Sequence, residues 1–179
     1  MSVVEMECRQ VVVIGAGPSG AIASALLKRK GHDVLIIERQ HFPRFSIGES
    51  LLSHCLDFVE EAGMLEAVQA AGFQLKNGAA FAWGEQYSAF DFGDTFSNGK
   101  PTTCQIQPAN FDKLLAAQAA LQGVEIRYGH TVIATDMKPE AMEPAASRGA
   151  TTVPGGEGQV ERIRELPGGK GVDAVFDFV

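Results

Sequence analysis

Val11-Val12-Val13-Ile14-Gly15-Ala16-Gly17-Pro18-Ser19-Gly20 is the stretch that decides the fold. Its β-branched apolar half reads as a buried parallel strand, and the strand breaks straight into G-x-G-x-x-G. Ala21 to Lys30, rich in Ala, Leu and Lys, reads as the helix behind it. Gly31-His32-Asp33 then turns the chain into a second apolar run, Val34 to Ile37, which ends in Glu38. That acid lies 18 residues beyond Gly20, close to the roughly 20 of a dinucleotide site. Gly15 suits the tight turn, Gly17 lets the backbone approach a pyrophosphate, and Gly20 lets helix pack closely on strand. Pro18 and Ser19 lie between these glycines, at a helix N-terminus whose unpaired N–H groups and positive dipole end attract phosphates. Glu38 can accept hydrogen bonds from the adenosine ribose. Strand, helix, second strand and terminal acid occur together, so the chain is expected to adopt a Rossmann-like α/β, three-layer fold that holds a dinucleotide.

The 179 residues suffice for one sizeable core, or for one domain plus part of another. With 45% hydrophobic and 21% charged residues, the composition is that of an ordinary globular protein. A formal net charge of -7 leaves no excess of cations to neutralise phosphates, which argues against nucleic acid as a partner. Cys8, Cys55 and Cys104 are widely spaced with no C-x-x-C, so neither a disulfide framework nor a metal site is expected. Each reads as a small buried apolar residue. The first residues, Met1 to Glu7, carry acids and no long apolar stretch, unlike a signal peptide. No run reaches the roughly 18 apolar residues of a transmembrane span, and a cytoplasmic protein is the expectation.

Past Glu38, Arg39-Gln40-His41-Phe42-Pro43-Arg44-Phe45-Ser46-Ile47-Gly48 reads as a loop, held off helix by Pro43. Glu49-Ser50 then reads as the start of a helix running to about Glu61, with Leu51, Leu52, Cys55, Phe58 and Val59 on one face. Glu38-Arg39, Phe42-Pro43-Arg44 and Ile47-Gly48-Glu49-Ser50-Leu51 together resemble the flavin-dependent halogenases and their monooxygenase and geranylgeranyl-reductase relatives. These belong to the wider fold of two-domain FAD hydroxylases. The resemblance continues through Gly63-Met64-Leu65, Gly72 to Gly84 and Phe111-Asp112-Lys113-Leu114-Leu115, and so covers about residues 8–130.

The resemblance implies a cofactor, FAD, and assigns residues to it. Gly15, Gly17, Pro18, Ser19, Gly20 and Glu38 would hold its ADP half, with Arg39 beside them. Arg44 would stand near phosphate or flavin carbonyl oxygens, which suit a guanidinium. Gly48, Glu49 and Ser50 would approach the flavin ring. Read without the resemblance, Arg44 is a solvated loop arginine and Glu49 a helix-start acid stabilised by the dipole. The implied activity is oxidation of a halide or a small organic substrate through a flavin hydroperoxide. NAD(P)H would be the electron source, through a separate flavin reductase. The relatives also imply an alternative, reduction of double bonds. A nucleotide-binding fragment without turnover is a third reading.

Lys76, in Leu75-Lys76-Asn77-Gly78, matches the halogenase lysine that precedes an Ala-x-Phe-x-Trp-like strand and handles hypohalous acid. An ammonium can hydrogen-bond that acid or form a haloamine, and so direct the electrophile. The residues alone read equally well as an exposed turn lysine, because Asn77-Gly78 is a turn signal. Phe81 to Gly84 and Ala89 to Phe92 read as strands joined by Glu85 to Ser88. Their aromatics, Phe81, Trp83, Phe90 and Phe92, suit either a substrate-pocket wall or plain core. Thr103 to Ile106 reads as a strand, Asn110 to Gln122 as a helix ended by Gly123, and Val124 to Tyr128 as a returning strand. Many relatives carry an arginine where Pro108 stands.

From about residue 131 the text changes. Val132 to Asp136 and Val172 to Val179 resemble strands from the cofactor domain of medium-chain alcohol dehydrogenases, with Asp136 as the acid for an NAD ribose. That family's glycine motif does not precede it. The chain is therefore read as 1–130, an FAD-binding region with part of a substrate layer, and 131–179, an α/β tail that completes the sheet or has another origin. Packing predicts that Ala174 to Val179, too apolar for an exposed edge, pairs within the sheet of Val11 to Ile14 and Val34 to Ile37, with helices on both faces. Pro154 to Gly158 reads as a surface loop before a short helix at about 159–166. The second Gly-Asp-Ala flavin motif and the Trp-rich halogenase signature are not found, so the fold is expected to be a truncated one.

Overall fold

The local signals fold into short strands, parallel in two sheets and antiparallel in two, packed against helices. In a computed structural model, residues 7, 9–94, 100–136, 139–147, 151–158, 161–162, 165 and 175–177 are described. The elements begin with β1 (Val11–Ile14), α1 (Pro18–Arg29), β2 (Val34–Glu38), α2 (Cys55–Glu61) and α3 (Leu65–Ala70). They continue with β3 (Gln74–Lys76), β4 (Gly78–Trp83), β5 (Gln86–Asp91), β6 (Thr103–Gln105) and α4 (Pro108–Leu121). The last are β7 (Glu125–Tyr128), β8 (Ile133–Asp136), α5 (Pro139–Ala146), β9 (Thr151–Pro154) and β10 (Val175–Asp177).

The main sheet has the order β1-β2-β7, all parallel, with Val11 opposite Val34 and Glu38 opposite Tyr128. Period-2 alternation divides its residues between two faces. Val11, Val13, Val34 and Ile36 face a core built with Ala21 and Ala25 of α1 and Phe111, Leu115, Ala116 and Ala119 of α4. Val59, Ala62, Met64 and Val68, from α2, α3 and the turn between them, close the same core. On the other face, Val12, Leu35 and Ile37 pack against Val132, which arrives from a loop. Helices were expected on both faces, but among the described residues this cover is a loop valine.

Helix α1 starts at Pro18, earlier than the Ala-rich run suggested, because proline's fixed φ and missing N–H suit the first helical position. Gly15 makes the turn into it with φ +97, which an L side chain resists. A β-carbon at Gly20 would run into the carbonyl oxygen of Gly15 and lie 3.4 Å from Val13 Cγ1. The third glycine therefore sets how closely α1 seats on β1.

Three expectations are corrected. Glu49-Ser50 does not start a helix. Ser50 forms an isolated antiparallel bridge with Gln105, Ile106 N–H donates to Glu49 O at 2.6 Å, and Leu51 N–H donates to Cys104 O at 3.1 Å. These backbone groups are spent on the β6 strand and its continuation, so α2 begins only at Cys55. Asn77-Gly78 does not reverse the chain. It passes from β3, paired with β6, straight into β4, paired with β5. The tail strand β10 does not join the main sheet but lies parallel to β8 in a second sheet ordered β10-β8-β9. An apolar strand pattern states that a partner is needed but not which one. Most of the helix expected at 159–166 lies outside the described residues, as does Cys8. Cys104 is buried and Cys55 half-buried.

Gly20→Ala tests the helix–strand contact. The methyl meets backbone rather than a flexible side chain, so the variant should lose roughly 1–3 kcal/mol in urea unfolding. An unchanged midpoint would show that α1 seats independently of this contact.

Candidate functional site

The end of β2 delivers Glu38 beneath the glycine turn, where its side chain is 2% exposed. One carboxylate oxygen, Oε2, accepts the Ala16 N–H at 2.8 Å. The other, Oε1, accepts the Gln40 N–H at 2.8 Å and Arg44 Nη1 at 3.2 Å. A buried carboxylate needs such donors, since each charge-assisted hydrogen bond contributes about 1.5–3 kcal/mol. The expected ribose acceptor thus first serves to tie the glycine turn to the loop after β2.

Arg44 spans the cluster. Its Nη2 lies 3.4 Å from Asp112 Oδ2, and its guanidinium carbon stands 5.1 Å from the Phe42 ring centroid. Nε is buried and has no hydrogen-bond partner among the described residues. A β-carbon at Gly17 would come within 3.1 Å of Nη2. Glycine at 17 therefore leaves open a space that the guanidinium borders. Gly17 is also the N-cap of α1, which has no side-chain cap and no acid in its first turn. An uncapped helix start beside a half-buried arginine is a favourable environment for an anion. These features fit the diphosphate of FAD.

The loop wall is aromatic. Tyr128, opposite Glu38, stacks on His41 with ring centroids 5.8 Å apart and meets Phe42 edge-on at 5.7 Å. Burial pushes the Tyr128 phenol upward, and the Glu38 charge adds to it. Arg39 is exposed just past the strand.

A second cluster spans β6. Lys76, half-buried at the end of β3, donates from Nζ to Ser50 Oγ and stands 5.3 Å from the Phe92 ring centroid. Gly48, with φ +120, and Glu49, the residues before Ser50, are exposed. The fold thus joins Lys76 to Ser50, although 26 residues separate them. The hairpin aromatics do not form core within the described residues, and Phe81 and Trp83 instead line a shallow, open concavity with Tyr87. Phe81 is 63%, Trp83 86% and Phe90 51% exposed.

Asp112 is the site residue that motif reading missed. It is 2% exposed and belongs to the buried face of α4 with Phe111, Leu115, Ala116 and Ala119. Burial pushes its carboxyl upward, opposed by the Arg44 charge. An acid at helical spacing with apolar residues was the available signal. Among the described residues no group of three or more His, Cys, Asp or Glu could hold a metal ion. No helix among them is long and apolar enough to cross a membrane.

Comparison with known proteins agrees with this geometry. The profile of the FAD binding domain family matches residues 9–154. It runs unbroken across residue 131, and the alcohol-dehydrogenase likeness of the tail is not borne out. A tryptophan 2-halogenase from Chondromyces crocatus is 32% identical over 152 residues, 85% of this chain and 28% of that protein. The myxobacterial chondrochloren halogenase CndH, a FAD-dependent halogenase, superposes with a TM-score of 0.68 at 33% identity. That match covers 75% of this chain and 32% of CndH. A flavoprotein/dehydrogenase from Cytophaga hutchinsonii superposes with a TM-score of 0.65 at 52% identity, over 66% of this chain and 30% of that one. The chain thus spans less than a third of the length of each of these relatives. A Rossmann-like glycine turn with its acid, an arginine beside the turn and a family profile over most of the sequence agree: the chain belongs to the FAD binding domain family.

Proposed function

We propose that this chain supplies the cofactor cradle of a FAD-dependent oxidoreductase of the halogenase and monooxygenase group, acting on a halide or a small organic substrate. The observation that carries the reading is the convergence of Gly17, Glu38 and Arg44 at the uncapped start of α1. Gly15, Gly17, Pro18, Ser19 and Gly20 line the phosphate turn. Glu38 fixes the turn and keeps acceptor capacity for ribose hydroxyls, with Arg39 at the rim. Arg44 faces the phosphates. Gly48, Glu49 and Ser50 form the approach to the flavin ring. Residues 1–130 supply this region with part of a substrate layer, and 131–179 an α/β extension.

FAD, when reduced and bound, supplies the activation of oxygen. The protein's own contribution is to orient it and to place Lys76. The Ser50 hydroxyl oxygen accepts a hydrogen bond from one Lys76 N–H, and the remaining N–H donors can hold an oxygen-bearing electrophile. NAD(P)H is the proposed source of electrons, delivered by a separate flavin reductase. The likeness to halogenases supports this reading. The 52% identity to a flavoprotein/dehydrogenase supports a second one, redox chemistry on an organic substrate without halide.

A flavin-binding titration paired with a product assay separates the two. FAD should bind to the chain, and reduced FAD with oxygen and substrate should give product only when chloride or bromide is present. Product without halide would favour the dehydrogenase-type reading. Gly17→Val fills the space beside Arg44 and should reduce FAD affinity by at least about tenfold, roughly 1.4 kcal/mol. Calorimetry on a folded variant checks this, and unchanged affinity would remove the phosphate-cradle role. Lys76→Ala should leave flavin binding and the rate of flavin reoxidation by oxygen intact while abolishing halogenated product. Equal product yield would reduce Lys76 to a strand-end residue.

A further inference from the structure

Asp112 lies outside the glycine turn and the loop after β2, yet it completes the same cluster. The Arg44 guanidinium has two acidic partners on different nitrogens: Nη1 to Glu38 at 3.2 Å and Nη2 to Asp112 at 3.4 Å. Both acids are almost wholly buried, at 2% and 3% side-chain exposure, whereas Arg44 is 23% exposed. Two anchors on two nitrogens fix the plane of a rigid guanidinium as well as its position. Glu38 alone, already accepting two backbone N–H groups, would leave the guanidinium free to swing about one contact. The nitrogen that Asp112 holds is Nη2, the same atom that borders the space over Gly17.

We propose that Asp112 is a positioning residue: it holds Arg44 over Gly17 and thereby sets how tightly the site takes the diphosphate of an adenine dinucleotide. The proposal rests on reading the Gly15–Gly20 turn as a phosphate cradle. Asp112 does not touch the ligand. It acts from α4, so the start of that helix is coupled to the phosphate site through one side chain. Asn matches Asp112 in size and keeps an oxygen acceptor in the same place, so it is tolerable for the fold while the loss of charge weakens the tether on Arg44. Stability and affinity therefore separate in the same variant.

The test is calorimetry on the full chain with ADP and with adenosine. Asp112→Asn should weaken ADP binding by roughly tenfold, leave adenosine binding unchanged, and keep its urea midpoint. In an Arg44→Lys background the same substitution should have less than about a twofold further effect, since the side chain it positions is gone. Asp112→Ser, smaller and also neutral, is the second variant if Asn packs poorly. ADP affinity unchanged or raised, an equal loss for adenosine, or full additivity with Arg44→Lys would each overturn the positioning role while the cradle stands. A wild-type chain that takes up adenosine but gains nothing from the diphosphate would instead overturn the cradle reading itself.

Discussion

Glu38 carries a charge in a place where water barely reaches it. A carboxylate so buried persists only where donors replace its hydration, because the desolvation penalty for an unpaired ion is several kcal/mol. Here Ala16 N–H, Gln40 N–H and Arg44 supply them. Each donor belongs to a different segment: the glycine turn, the exit of β2 and the following loop. One side chain therefore fixes their mutual positions, and the glycine turn owes its shape to an acid 22 residues further along the chain.

Arg44 extends this constraint outward. It carries the influence of Glu38 to α4 through Asp112 and leans on Phe42, which itself meets Tyr128 on the third strand of the sheet. The cluster holds two acids to one arginine, with backbone amides contributing the rest of the positive potential. Such an arrangement suits a ligand that brings its own negative charge only if the arginine and the helix start face it together. The observed geometry meets that condition, since Nη2 borders the space above the N-cap of α1.

The Lys76 region obeys a different logic. Its rigidity comes from backbone pairing, with β3 on one side of β6 and the Glu49–Leu51 segment on the other. The Ser50 side chain closes the link to Lys76. The β4–β5 hairpin that follows exposes Phe81, Trp83, Tyr87 and Phe90, more aromatic surface than an isolated hairpin stabilises in water. Phe81 and Phe90 stack across the strands at 6.1 Å, and this cross-strand pair supports the hairpin within the described residues.

The sequence by itself determined the Rossmann-like half of the molecule. A β-branched run, three spaced glycines, an Ala-rich helix and a strand-terminal acid are local signals, and each acts through contacts with its near neighbours. That is why β1, α1, β2, α4 and β7 lie close to where their composition placed them. The helix expected from Glu49 failed because its backbone donors and acceptors were claimed by β6, a segment more than fifty residues away. The partner of β10 was equally hidden, since an apolar alternation does not say which edge is open. Tertiary structure alone brought Asp112 to Arg44 and Lys76 to Ser50. Those are long-range polar contacts, and no local periodicity encodes the meeting of two side chains whose elements are joined only by the fold.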